Sequence, residues 1–296
     1  MSSLYSETVQ LKLETGHEVE ACLRIAPHQT GRPKCLLLHG NPGSILDWEQ
    51  LVPRLTDRAD VAVIDLPGFG KSRRSGAGAA CMSLDRLAES AIAVADVLDW
   101  REPIFLLGHS HGGGVAQIAA SRYPGRVAGL VLIGTLGAPA HASYRWLSLP
   151  GATTLARVLG QLFRFRRLLP LNRAILRAVM TDIFSPEPVL AEKLEQALSS
   201  FSARPEILVS MVHVTRGGPC RQLVSAASEI RCPTLFIHGS EDALVPARYA
   251  RSLHERISSA GGRSQFQVIP GGHLLINYQA SELAELIESH LRGRAA

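Results

Sequence analysis

Cysteine is scarce in this chain, and its pattern is unpaired. Five cysteines, at positions 22, 35, 81, 220 and 232, are spread over 296 residues with no C-x-x-C spacing. That argues against a disulfide framework and against a thiolate zinc site. Reduced, mostly buried thiols in a cytoplasmic protein are the expectation. Long apolar runs are missing too. No stretch reaches the roughly 18 to 20 uninterrupted apolar residues that cross a bilayer. The most apolar segment, 127–140, is broken by three glycines and a proline. The opening MSSLYSETVQLKLE has no basic region followed by an apolar one, so no secretory signal is expected. Lysine is nearly absent: Lys12, Lys34, Lys71 and Lys193 are four of 31 basic residues, leaving 27 arginines. A formal net charge of +5 invites a nucleic-acid partner. No nucleic-acid motif accompanies it, so none is expected.

What is present points to a folded α/β chain. Apolar residues at 46% and charged residues at 19% exclude a disordered chain, and 26 glycines and 17 prolines without a period exclude a collagen-like one. The length suits one large α/β domain or two small ones. Thr8–Glu14 and Glu18–Ile25 read as a hairpin about Gly16. Short apolar runs at 34–40 and 61–66 read as buried strands, and 104–107, 127–133, 234–237 and 265–269 read as further strands. Helical spacing follows most of them. Trp48, Leu51, Val52 and Leu55 mark one helix, capped by Ser44 with Asp47 three residues on. A second opens at Ser83. Such alternation predicts a mostly parallel, doubly wound sheet.

The rhythm breaks between Gly137 and Arg221. Leu155, Val158, Leu159 and Leu162 mark one helix there, and Ile175, Leu176, Val179 and Ile183 a second. Leu190, Leu194, Leu198 and Phe201 mark a third, and Ile207, Leu208, Met211 and Val214 a fourth. The expected organisation is a core domain, 1–136 and 222–296, with a helical cap inserted at 137–221 over the strands' C-terminal ends. From Tyr144 to Thr181 there are seven arginines and no acidic residue. They form either an electropositive rim that draws anions or a membrane surface, or solvated helix faces around an apolar stripe. The second is the blander account and the one the sequence favours.

The chemistry lies in Gly108-His109-Ser110-His111-Gly112, a G-x-S-x-G between a predicted strand and a predicted helix. Ser110 on a sharp turn there projects its hydroxyl above the sheet, and the two glycines let neighbouring backbone pass. A serine hydroxyl needs a base, and the base an orienting carboxylate. Asp242 follows one late strand and His273 the next, in the order Ser, Asp, His. Glu241 is the rival acid beside Asp242. His109 and His111 flank the serine, but no third ligand stands at metal spacing, so no metal is expected. Gly70-Lys71-Ser72 mimics a phosphate loop, but the first glycine of that pattern is Asp65 here. Asp65 is instead expected to hold its own turn.

These pieces, with His39-Gly40-Asn41-Pro42-Gly43 and Asp65-Leu-Pro-Gly-Phe-Gly-Lys-Ser72, resemble the α/β-hydrolase superfamily from Thr8 to Leu291. The resemblance implies an α/β-hydrolase fold with an inserted helical cap. It implies Ser110 as nucleophile, His273 as base and acid, and Asp242 as orienter. It also implies an oxyanion hole from the backbone N–H groups of Asn41 and His111. Asn41, directly after a strand-terminal His-Gly, is suitably placed. The Asn-Pro turn with Trp48 nearby is similar to haloalkane dehalogenases and epoxide hydrolases, but those use an aspartate where this chain has Ser110.

The expected function is hydrolysis of a carboxylic ester, lactone or thioester of a small, fairly apolar molecule through an acyl-enzyme. C–C bond hydrolysis of a vinylogous diketone is the alternative, and a non-hydrolytic cyclase, lyase or ligand-binding role is a third. Trp48, Trp146 and His213 are candidate substrate contacts. No cofactor, no nucleic acid and no stable membrane insertion are expected. A homodimer is left open.

Overall fold

The computed structural model describes residues 5–26, 31–73, 80–136, 147, 149–184, 188–216 and 219–293. Strands are β1 Tyr5–Lys12, β2 Glu18–Ile25, β3 Lys34–Leu38, β4 Asp60–Ile64, β5 Ile104–His109, β6 Val127–Ile133, β7 Thr234–Gly239 and β8 Ser264–Ile269. They form one sheet in the order β1-β2-β4-β3-β5-β6-β7-β8. β1 and β2 pair antiparallel, as do β2 and β4, and every later pairing is parallel. Helices are α1 Val52–Leu55, α2 Leu84–Val97, α3 His111–Arg122, α4 Ala152–Leu162, α5 Leu169–Phe184, α6 Leu190–Ala203, α7 Glu206–Arg216, α8 Pro219–Ala227, α9 Ala247–Ser259, α10 Leu275–Tyr278 and α11 Ala280–Arg292.

The expected doubly wound, mostly parallel α/β architecture is present. Alternating side chains of each central strand face opposite ways. In β3, Leu36 and Leu38 join one core layer with α2, α3, α8 and α9. Cys35 and Leu37 join the other, with α1 and α11. All five residues of β3 are buried, which is why 35–38 is continuously apolar and why Lys34 at its start is ion-paired, with Nζ 2.7 Å from Oδ2 of Asp60. Burying each such leucine contributes roughly 1.5–3 kcal/mol relative to leaving it in water. The N-caps form as their residue types predict. Ser83 Oγ accepts the Arg86 N–H at 3.4 Å. Ser44 and Asp47 close a capping box over Ile45–Trp48.

The helix expected over 48–55 is instead two pieces, a 3-10 turn at Ile45–Trp48 and the single turn of α1. Pro53 explains the break, because it has no N–H to continue a ladder from the preceding turn. Four helices were expected between β6 and β7, and α4 to α7 occupy those stretches. A fifth, α8, follows and packs on α3. Arg204, between α6 and α7, ties this helical layer to the sheet side. Its guanidinium donates to the carbonyls of Gly70 at 2.7 Å and Ser72 at 2.8 Å. Asp65 holds its own loop as expected, accepting N–H groups from Lys71 and Ile45, each at 2.7 Å.

Candidate active site

The site forms where β3, β5, β7 and β8 end. Parallel strands present their C-terminal ends together, so residues distant in sequence converge there. Ser110 lies between β5 and α3 with φ of 51°, a left-handed conformation that a non-glycine residue adopts only under constraint. The constraint is visible. Ser110 N–H donates to the Ile133 carbonyl at 3.0 Å, and its own carbonyl accepts from Gly113 and Leu136, each at 3.0 Å. A Cβ on Gly108 would collide with Gly112 and Gly113, and one on Gly112 with the Leu38 carbonyl. The two glycines therefore let β5, β3 and the start of α3 close on each other. His111 is the first residue of α3, where backbone N–H groups have no acceptor within the helix.

Asp242 and His273 meet. Nδ1 of His273 donates to Oδ2 of Asp242 at 2.8 Å, which leaves Nε2 of the ring able to accept a proton. Oδ1 of Asp242 accepts the Val245 N–H at 2.8 Å. Glu241, the rival acid, is exposed. Burial alone would push the Asp242 carboxyl up, but His273 and His238 beside it hold it well below the usual carboxylate range. Ser110 and His273 line one small cavity of about 40 Å³ with Gly40, Asn41, Leu244 and Leu274. No hydrogen bond joins Ser110 to His273 among the described residues. In related chemistry that contact commonly tightens only when substrate binds.

Two further histidines brace this pair. Nε2 of His238 lies 2.6 Å from the Val245 carbonyl and 3.3 Å from Oδ2 of Asp242. Both partners only accept, so Nε2 carries the proton. Nε2 of His109 likewise donates to the His273 carbonyl at 2.9 Å. Its Nδ1 has no hydrogen-bond partner among the described residues. Burial, and then the neighbouring His273, push His109 down to about 3, so it is neutral at ordinary pH. Burial pushes His111 down to about 4, with His39 adding to it. No group of three or more His, Cys, Asp or Glu side chains suited to a metal ion occurs among the described residues.

Other candidates lie elsewhere. Trp48 is fully buried in the core layer shared with α1 and α11. It does not line the cavity, because the 3-10 turn directs it inward. His213 is buried in α7 and lines neither cavity described here. Trp146 lies outside the described residues.

Sequence reasoning missed two side chains. Phe184, at the end of α5, stacks over His273 with ring centroids 6.3 Å apart. Lys193, on α6, reaches Asp47 with Nζ 2.6 Å from Oδ1, and both side chains are nearly buried. The signal for Lys193 was available. It sits on the apolar stripe marked by Leu190, Leu194 and Ala197, where a charge is out of place. Lys193, Asp47 and Phe184 also line a second cavity of about 80 Å³, walled by Met180, Ala197, Phe201 and Ile207.

A family model for the alpha/beta hydrolase fold matches residues 36–277. A 2-hydroxymuconate semialdehyde hydrolase from Pseudomonas sp. (strain CF600) is 30% identical over 294 residues, spanning 94% of each chain. A thermophilic esterase structure from Thermogutta terrifontis has a TM-score of 0.75 at 25% identity, covering 98% of this chain and 100% of that one. The enol-lactonase from Burkholderia xenovorans LB400 shares the fold, with a TM-score of 0.74 at 18% identity over 96% of this chain and 100% of that one.

Proposed function

The chain belongs to the alpha/beta hydrolase family, and from that membership we propose that it is a serine hydrolase of a carboxylic ester, lactone or thioester. One observation carries the reading. The Asp242–His273 hydrogen bond leaves Nε2 of the imidazole as a base beside the cavity that Ser110 lines.

Ser110 Oγ attacks the carbonyl carbon while Nε2 of His273 takes the hydroxyl proton. The carbonyl π-electrons move onto oxygen, where the N–H groups of Asn41 and His111 receive the charge. Losing one such donor typically costs about 10²–10³ in turnover. The tetrahedral adduct collapses, the leaving oxygen or sulfur takes the proton from His273, and an acyl-enzyme remains. Water, deprotonated by the same imidazole, attacks the acyl carbon. Collapse of this second adduct releases the acid and returns the proton to Ser110. Asp242 keeps the imidazole in the required tautomer and offsets its transient positive charge. The helices 152–216 serve as the cap. The second cavity, apolar along Met180, Phe184, Ala197, Phe201 and Ile207, suits an apolar acyl or alkyl group on that wall.

A second reading, C–C bond hydrolysis of a vinylogous diketone, draws support from the cationic Lys193 at the cavity wall and from the semialdehyde hydrolase relative. A fluorophosphonate mapped by mass spectrometry tests the nucleophile, with the adduct expected on Ser110. No adduct there would remove both readings. Faster turnover of nitrophenyl esters than of a dienoate diketone supports the first, and the reverse order selects the second.

A further inference from the structure

Among the helices between β6 and β7, α4 is built inside out. Its small residues Ala152, Ala156 and Gly160 are buried, and the helix packs on α7 through them. Its large apolar residues Leu155, Val158, Leu159 and Leu162 stand 48%, 57%, 37% and 36% exposed. Their spacing places them on one face. A helix serving only its own domain would turn that face to the core. The link to α5 exposes Phe165, and α5 exposes Leu171, Ile175 and Val179 at a spacing of four. The amide of Asn172 donates to the Leu162 carbonyl at 3.2 Å, joining the end of α4 to the start of α5. None of these exposed residues lines either cavity beside the candidate active site.

Charge indicates what covers this face. Seven arginines and no acidic residue occur from 144 to 181. Arg164 and Arg167 are exposed on either side of Phe165 in the link between the two stripes, whereas Arg157 and Arg177, also exposed, stand on the far side of their helices from the stripes. Arg173 is engaged by Glu195. A second copy of the chain would bring the same arginines against these, and like charges at a desolvated contact repel. A surface that is anionic outside and apolar beneath satisfies both features at once. No described helix is long and apolar enough to cross a membrane.

We propose that α4 and the start of α5 are a docking surface for an anionic phospholipid bilayer, on which the helices lie in the plane of the headgroups. The leucine and valine side chains enter the acyl boundary and the arginines pair with lipid phosphates. A substrate dissolved in that boundary then reaches the cap without crossing bulk water.

Sedimentation of the full chain with vesicles tests this. Binding is expected to vesicles of equal parts phosphatidylglycerol and phosphatidylcholine. It should be weaker to phosphatidylcholine alone and should fall as salt screens the headgroup charge. Arg164→Gln with Arg167→Gln should weaken binding about thirtyfold, roughly fivefold for each arginine near the surface. The corresponding lysine pair should retain it, and Val158→Glu should abolish it. All three variants change exposed side chains, so their melting temperatures should match the parent. Absence of binding to the anionic vesicles overturns the proposal. So does equal binding to both vesicle types. A dimer dissolved by Val158→Glu, with no vesicle binding, would give the face to a second copy instead.

Discussion

Nε2 of His238 lies 3.3 Å from Oδ2 of Asp242, the same oxygen that accepts Nδ1 of His273. Together with the Val245 N–H, the carboxylate is held by three donors and cannot swing away from the imidazole it orients. His238→Phe removes one donor from a fully buried position. We expect kcat to fall about ten- to hundredfold with little change in KM, since a lost hydrogen bond to a charged group costs about 1.5–3 kcal/mol. Steady-state kinetics on a nitrophenyl ester checks the split. An unchanged kcat would assign His238 to packing alone.

Asp242→Asn should lower kcat by about 10⁴, by analogy with the loss of the correct histidine tautomer in serine hydrolases. Glu241→Gln, at an exposed position, should leave kcat within about twofold. Equal damage from both would mean that Glu241 is the acid.

Ser110→Gly should be inactive and yet more stable than Ser110→Ala, by about 1 kcal/mol. The φ of 51° strains any residue with a Cβ and leaves glycine unstrained. Urea titrations of the two variants give the comparison directly.

Lys193→Met leaves the Asp47 carboxylate buried without its cation, and should destabilise the chain by about 3–5 kcal/mol. Adding Asp47→Asn should recover much of that loss. If the second reading of function holds, the double variant should raise KM for carboxylate-bearing substrates and leave KM for neutral esters unchanged. Melting curves and a paired substrate panel separate the two effects.

Acid should destabilise the fold before Asp242 titrates. His109 and His111 are pushed down to about 3 and about 4, so the unfolded chain binds their protons first, near pH 6.5. Their contribution is fully present above pH 6.5 and is lost as pH falls towards those folded values. At pH 5 each should have given up about 2 kcal/mol. Asp242, held low, adds a further loss below about pH 4. Unfolding free energies at pH 7 and pH 5 should differ accordingly, and the difference should shrink in His109→Gln.

β3 to β7 were legible because they are buried on both faces and bounded by turn residues. The elbow was legible because its glycines are required by close approach, as at Gly108 and Gly112. The helix α8 was not. Its apolar residues are few, and Pro219 after two glycines reads as a break rather than as a helix start. The outward face of α4 was not legible either. Periodicity shows which residues share a face, but its direction depends on whether the small face finds a partner, here α7. The contact of Phe184 with His273 joins separate elements and leaves no local pattern. Trp48 was misread because an aromatic beside a turn gives no sign of which way the turn directs it.

The bond from His109 to the His273 carbonyl ties the residue just before the elbow serine to the backbone of the loop after β8. Strand and loop therefore shift as one body, and the spacing of the Ser110 hydroxyl to the His273 imidazole is inherited from the sheet. If α4 to α7 roof the site as proposed, they can lengthen, lean or exchange their side chains for a different guest without disturbing that spacing. On that proposal, guest preference can change overhead while the pairing below stays fixed.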